Sequence, residues 1–170
     1  LLLETRERTL ALLEDLDAAQ MMGPRLRIVN PLLWEIGHVA WFQGYWVLRQ
    51  LRGEAPVRAD EDRLYDSIQV QHGTRWDLPL PTREETLDYV AETLARALDR
   101  LERETVGERG AYLYRLVAFH EMMHGEAFTY TRQTHALPPP RFVAANAIDR
   151  AHVIGADGER SGDCPGDCDI

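Results

Sequence analysis

The sequence predicts an all-α fold, a four-helix up-down bundle with one long crossover between its second and third helices. Three observations carry this. Four long stretches repeat apolar residues at steps of three and four. Helix-starting residues stand before two of them, and Gly and Pro interrupt the chain between them. A 28-residue stretch, 54–81, separates the middle pair, and loops of that length are usually functional or disordered.

The first helix is expected from about Thr5 to Met22, with Leu10, Leu13, Leu16 and Ala18 or Ala19 inward and Gly23-Pro24 as its stop. The second begins at Asn30-Pro31, where Asn can accept from the free N–H groups of a first turn and Pro loses no hydrogen bond. It runs to about Leu51, before Gly53, and carries Trp34, His38, Trp41, Phe42 and Tyr45 on one face, with Trp46 beside them. The third opens on Thr82-Arg83-Glu84-Glu85, a capping box. Its expected buried stripe is Leu87, Val90, Ala91, Leu94, Leu98 and Leu101. The fourth covers about Arg109 to His135, ahead of Pro138-Pro139-Pro140.

The crossover holds Tyr65, His72, Arg75, Trp76 and Asp77 and could form a short helix over 60–67. From Leu137 the periodicity ends and Pro, Gly, Asp and Ala take over. Residues 1–137 are therefore expected to form the bundle and 138–170 a linker.

Apolar residues make up 45% of the 170, enough for a sizeable core. The net charge of -9 repels phosphate backbones and anionic bilayers, which argues against nucleic-acid and membrane partners. No apolar run approaches the ~18 residues of a membrane span. Leu1-Leu2-Leu3 runs into Glu4, Arg6 and Glu7, too short for a signal-peptide core, so the cytoplasm is the default compartment. Cys164 and Cys168 lack the partner ligands that a zinc or redox site needs and read as an exposed pair.

The chemistry-bearing feature is His120-Glu121-Met122-Met123-His124-Gly125-Glu126. Residues four apart share a helix face, so His120 and His124 can address one ion. Such a pair can also arise by chance among six His. His38, in the middle of an aromatic face, is by itself as readily a hydrogen-bonded core residue. In a bundle, however, metal sites are built by inward side chains of facing helices. His38, His120 and His124 together would make a three-His metal set with open positions. Glu126 lies about 200° around the helix from His124, so it is expected as an outer hydrogen-bonding group or a surface ion pair. Trp41, Tyr45, Arg75, Trp76 and Met123 are expected to line a substrate cavity, and His72 is a further candidate.

The run Asn30-Pro31-Leu32-Leu33-Trp34-Glu35-Ile36-Gly37-His38-Val39-Ala40-Trp41-Phe42, followed by His-x-x-x-His-x-Glu at 120–126, resembles the N-terminal DinB-like domain of the ergothioneine-type sulfoxide synthases over about residues 5–137. The resemblance implies Fe(II) on His38, His120 and His124 and O2 as co-substrate. It implies hercynine, the trimethylated betaine of histidine, as the acceptor of sulfur on its imidazole. It also implies a second, formylglycine-generating-enzyme-like domain, to which 162–170 looks like the approach, and little bond formation by the bundle alone.

One departure is Met123, where that family commonly has a Gln contacting the substrate ring. Trp34 to His38, Tyr65-Asp66-Ser67, residues 75–81 and His124 to Ala127 are more similar to the selenoneine synthase branch, which joins selenium from a selenosugar. The competing expectation is a stand-alone DinB-like thiol transferase or hydrolase using zinc or nickel on the same His. A third is an interaction bundle without metal.

Overall fold

The computed structural model describes residues 1–140, which form helices and loops with no strand among them. The helices are α1 (Leu2–Ala11), α2 (Ala18–Met22), α3 (Leu32–Gln43), α4 (Glu61–Tyr65), α5 (Arg83–Arg103) and α6 (Glu108–Thr134). A single 3₁₀ turn covers His72–Thr74. The bundle is made by α1, α3, α5 and α6, while α2 and α4 are short braces on α3. Cys164, Cys168, His152 and most of the expected linker lie outside the described residues.

The expected first helix is two. Turns at Leu12–Asp15 break it, and Asp17 starts α2 with its own capping box. The Asp17 side chain accepts from Gln20 N (2.8 Å) while Gln20 Oε1 accepts from Asp17 N (2.9 Å). Arg132 of α6 clamps the break, donating to Leu12 O (2.7 Å) and to both oxygens of Asp15 (2.8 and 2.9 Å). The break turns Leu12, Leu13 and Leu16 into the core and leaves Leu10 at the surface.

Asn30 does not cap α3. Its Oδ1 accepts instead from Arg75 Nη1 (2.6 Å), a charged donor that outcompetes a backbone N–H. Past Gln43 the helix continues to Gln50 as a wider π-helical segment, a form often found at functional sites, and Gly53 ends it at φ 69°.

The Thr82–Glu85 capping box of α5 forms as expected. Its buried stripe, however, is Thr86, Tyr89, Val90, Thr93 and Ala97. Leu94 and Leu98 are half-buried, and Ala91 and Leu101 are exposed. Small and hydroxylated side chains win this face because α3 packs closely on it, with Gly44 against the Thr93 methyl.

Cross-helix contacts fix the directions. Glu35 meets His124 and Phe42 meets His120, so α3 and α6 run antiparallel. Arg6 meets Glu121 and Leu12 meets Arg132, so α1 lies parallel to α6. Gly44 faces Thr93, and Leu48 shares a cluster with Ala97, so α5 runs with α3. The long crossover makes this possible by carrying the chain back to the end where α3 began.

Arg6 ties the bundle at its centre. It is buried, pairs with both oxygens of Glu121 (2.6 and 3.1 Å), and donates to Val90 O (2.8 Å) and Gln43 Oε1 (3.0 Å). Glu121, next to His120 in sequence, is thus a core ion-pair partner facing α1.

Candidate metal centre

The face of α3 that carries His38 is covered by the crossover. Three side chains along that face reach α4: Trp34 Nε1 donates to Leu64 O (2.7 Å), His38 Nδ1 to Tyr65 O (2.8 Å) and Trp41 Nε1 to Asp62 Oδ1 (2.7 Å). Arg49 adds bonds to both oxygens of Asp62 (2.6 and 2.8 Å) and to Glu61 (3.0 Å). Gly37 makes the close approach possible, since a Cβ there would sit 2.2 and 2.4 Å from ring carbons of the fully buried Tyr65 and 2.8 Å from its hydroxyl.

Opposite this face, α6 presents His120 and His124 one turn apart. His38, His120 and His124 each offer a ring nitrogen, and the three atoms lie within 4.8 Å of one another, a group able to hold a metal ion. The hydrogen bonds decide which nitrogens those are. A carbonyl only accepts, so His38 carries its proton on Nδ1 and leaves Nε2 as a lone pair. His124 Nδ1 lies 2.7 Å from Glu35 Oε1, and a carboxylate likewise accepts. Its Nε2 faces His120 Nε2 at 3.2 Å. That spacing matches two nitrogens on one ion, about 3.0–3.4 Å for bonds of ~2.1 Å. His120 Nδ1 has no hydrogen-bond partner, and its ring stacks on Phe42 at 3.7 Å.

Burial holds His38 and His120 neutral, as ligands must be. Desolvation, reinforced by the neighbouring His124, lowers His38 from its ordinary value to about 4, although the bond to Tyr65 O opposes it. The same causes lower His120 to about 2.

The cluster opens on a cavity of about 360 Å³. His38 and His120 form its floor, Trp41, Phe42, Tyr45 and Trp46 its aromatic wall, and Asp66, Ser67 and Ile68 the crossover side. Of the residues expected to line a substrate cavity, Trp41 and Tyr45 border this one. Other candidates do not line this cavity. Arg75 lies under it, its guanidinium 3.7 Å over the Trp34 ring, which stacks in turn on His38. Trp76 donates to Met22 O (3.2 Å) and packs beside Arg25. Met123 projects outward, 56% exposed, because it is one residue out of phase with His124. Glu126 is exposed on a groove between α1 and α6, away from the His cluster. His72 Nε2 bonds to Val29 O (2.7 Å) and holds the crossover to the segment before α3.

Three contributors are not among the residues the sequence singles out for the site. Asp66 and Ser67 come from the crossover, whose course no local pattern reveals. Glu35 had a signal: an acid three residues before His38 on an otherwise apolar helix face.

Three convergent His on facing helices make this a helical bundle able to hold a metal ion. The chain belongs to the DinB superfamily, whose family model matches residues 1–128. It is similar to the hercynine oxygenase of Mycolicibacterium smegmatis, with 31% identity over 136 residues covering 79% of this chain and 31% of that protein. The hercynine oxygenase of Mycolicibacterium thermoresistibile is 27% identical over 127 residues (74% of this chain, 28% of that protein). That of Mycobacterium tuberculosis is 29% identical over 128 residues (74% and 29%). The chain thus spans about three tenths of the length of these relatives. None of its described helices is long and apolar enough to cross a membrane.

Proposed function

We propose that this chain is the metal-holding part of a non-haem Fe(II), O2-dependent enzyme that joins sulfur or selenium to the imidazole of hercynine. The observation that carries the reading is the His38–His120–His124 cluster, of which His38 and His120 form the floor of an aromatic cavity. The similarity to hercynine oxygenases supplies the substrate. Fe(II) held here would supply Lewis acidity and a site for O2 activation. Three neutral His leave such an ion its full charge and up to three further positions, unlike the two-His-one-carboxylate set of many iron oxygenases.

The protein's part is binding and orientation. Tyr65 O and Glu35 fix the ring planes of His38 and His124. Trp41, Tyr45 and Trp46 line the cavity with aromatic rings, a surface that attracts a trimethylammonium group. Asp66, on the crossover side of the same cavity, adds a carboxylate complementary to that cation. The bundle of residues 1–137 binds and positions. Bond formation depends on groups supplied by a second domain, in keeping with the length of the relatives.

The test is anaerobic loading with Fe(II), then calorimetry with hercynine, then O2 with a thiol or a selenosugar donor. The reading expects hercynine binding that requires both metal and Trp41, weakened by Trp41→Leu while the helical circular dichroism is kept. The donor that turns over, with the second domain present, separates sulfur from selenium chemistry. Metal binding with no affinity for hercynine would favour a thiol transferase or hydrolase instead.

A further inference from the structure

Glu35 is out of place by ordinary rules of burial. It sits on α3 between Trp34 and Ile36, 1% exposed, in a helix whose neighbouring residues are nearly all buried and apolar. A buried carboxylate is costly unless paired and hydrogen-bonded. Glu121, buried on α6, shows the ordinary solution: both its oxygens are held by Arg6. Glu35 has no such partner. Its Oε1 meets only the His124 ring, and its Oε2 has no hydrogen-bond partner at all. Arg75 is the cation whose charge reaches it, but no hydrogen bond joins the two: the guanidinium donates to Asn30 Oδ1 and Val70 O and lies over the Trp34 face.

A neutral imidazole is a weak counterpart for a buried carboxylate. An imidazole whose other nitrogen is bound to a metal cation is a strong one, because the ion's charge polarises the Nδ1–H. We propose that Glu35 is a positioning residue for the metal: it locks His124 with Nε2 toward the ion, and its incompletely paired buried charge favours the metal-loaded state over the empty one. This rests on the metal reading of the His cluster. Metal-ligating His commonly donate their second N–H to a carboxylate, and removing such a partner typically weakens metal affinity by about 10- to 100-fold. His38, whose Nδ1 donates to a backbone carbonyl, would lack this charge-dependent component.

The consequence separates positioning from mere packing. Glu35→Gln keeps shape and an acceptor but removes the charge, so metal affinity should fall about 10-fold while the metal-free protein is as stable as the wild type or more so. Glu35→Ala should weaken affinity further, toward 100-fold. The experiment titrates the full chain and both variants with Co(II), following the visible bands and the paramagnetically shifted ring N–H signals. Thermal melts are recorded with and without metal. Expected are wild-type binding at one ion per chain, a displaced or exchange-broadened His124 N–H in Glu35→Gln, and a loss of stability confined to the loaded form. Wild-type affinity in Glu35→Gln would overturn the proposal and leave the metal site standing. A metal-free Glu35→Gln destabilised as much as the loaded form would also overturn it, by making Glu35 structural. A wild type that binds no Co(II) would sink both readings.

Discussion

His38 shows how one side chain joins fold and chemistry. Its Nδ1 is fixed by Tyr65 O and its ring lies between those of Trp34 and Trp41. Burial lowers its pKa to about 4, while in the unfolded chain it titrates near 6.5. Between those values the unfolded state binds more protons, so stability rises with pH through that window. The metal-free protein should therefore be most stable above about pH 6.5 and lose roughly 3 kcal/mol from His38 alone as pH falls to 4. His120, held to about 2, extends the loss below pH 4. Carboxylates titrate in the same range, so the checking measurement is a difference. Urea midpoints of wild type and His38→Gln across pH 4–8 should diverge in slope below pH 6.5, and parallel curves would contradict the assignment.

On the scale of elements, the site is made by pinning a short helix of the crossover onto α3. Gly37 is the hinge of that contact, because a methyl group there meets the Tyr65 ring at 2.2 Å and Tyr65 is fully buried against Tyr89. Gly37→Ala, which would normally favour a helix, should instead destabilise by about 1–3 kcal/mol through overpacking. It should also lower metal affinity, since the carbonyl that orients His38 belongs to Tyr65. Chemical denaturation with a metal titration checks both, and an Ala variant with wild-type values would show that α4 is not the element holding His38.

This is also the scale at which the sequence was partly legible. The aromatic face of α3, the box at Thr82 and the His pair of α6 were readable because each obeys a local rule of spacing or capping. The break at Leu12–Asp15 is masked by the continuous apolar spacing, although Asp17 and Gln20 signal a new start. The inward phase of α5 departs from the expected one because Leu94 and Leu98 are more hydrophobic than the Thr93 and Ala97 that the packing buries. The face is chosen by how closely α3 can approach, which is a tertiary matter. Arg75 and Trp76 were expected at the cavity for their chemistry, yet their positions depend on the path of the crossover, which no periodicity records.

The whole molecule is held in register around one buried ion pair. Arg6 and Glu121 are 2% exposed each and link α1 to α6, while the same guanidinium reaches α3 and α5. Glu121 adjoins His120, so this pair sets the height of α6 against α3 and hence of two His against the third. Removing one partner leaves a buried charge and should cost about 3–5 kcal/mol, as Arg6→Ala or Glu121→Ala. Arg6→Met with Glu121→Leu should recover most of that. A double-mutant cycle by urea unfolding checks the coupling; additive single losses would mean the two residues act separately.

The central claim is that His38, His120 and His124 together hold one metal ion. Its most direct test is the metal stoichiometry of the full chain after anaerobic Fe(II) loading, compared with His38→Ala, His120→Ala and His124→Ala. The account predicts one iron per wild-type chain and loss of most of it in each variant, with helical circular dichroism retained in all. Glu126→Ala, altered on the exposed face of α6, should keep its iron. Full iron in any one of the three His variants, or none in the wild type, would contradict it.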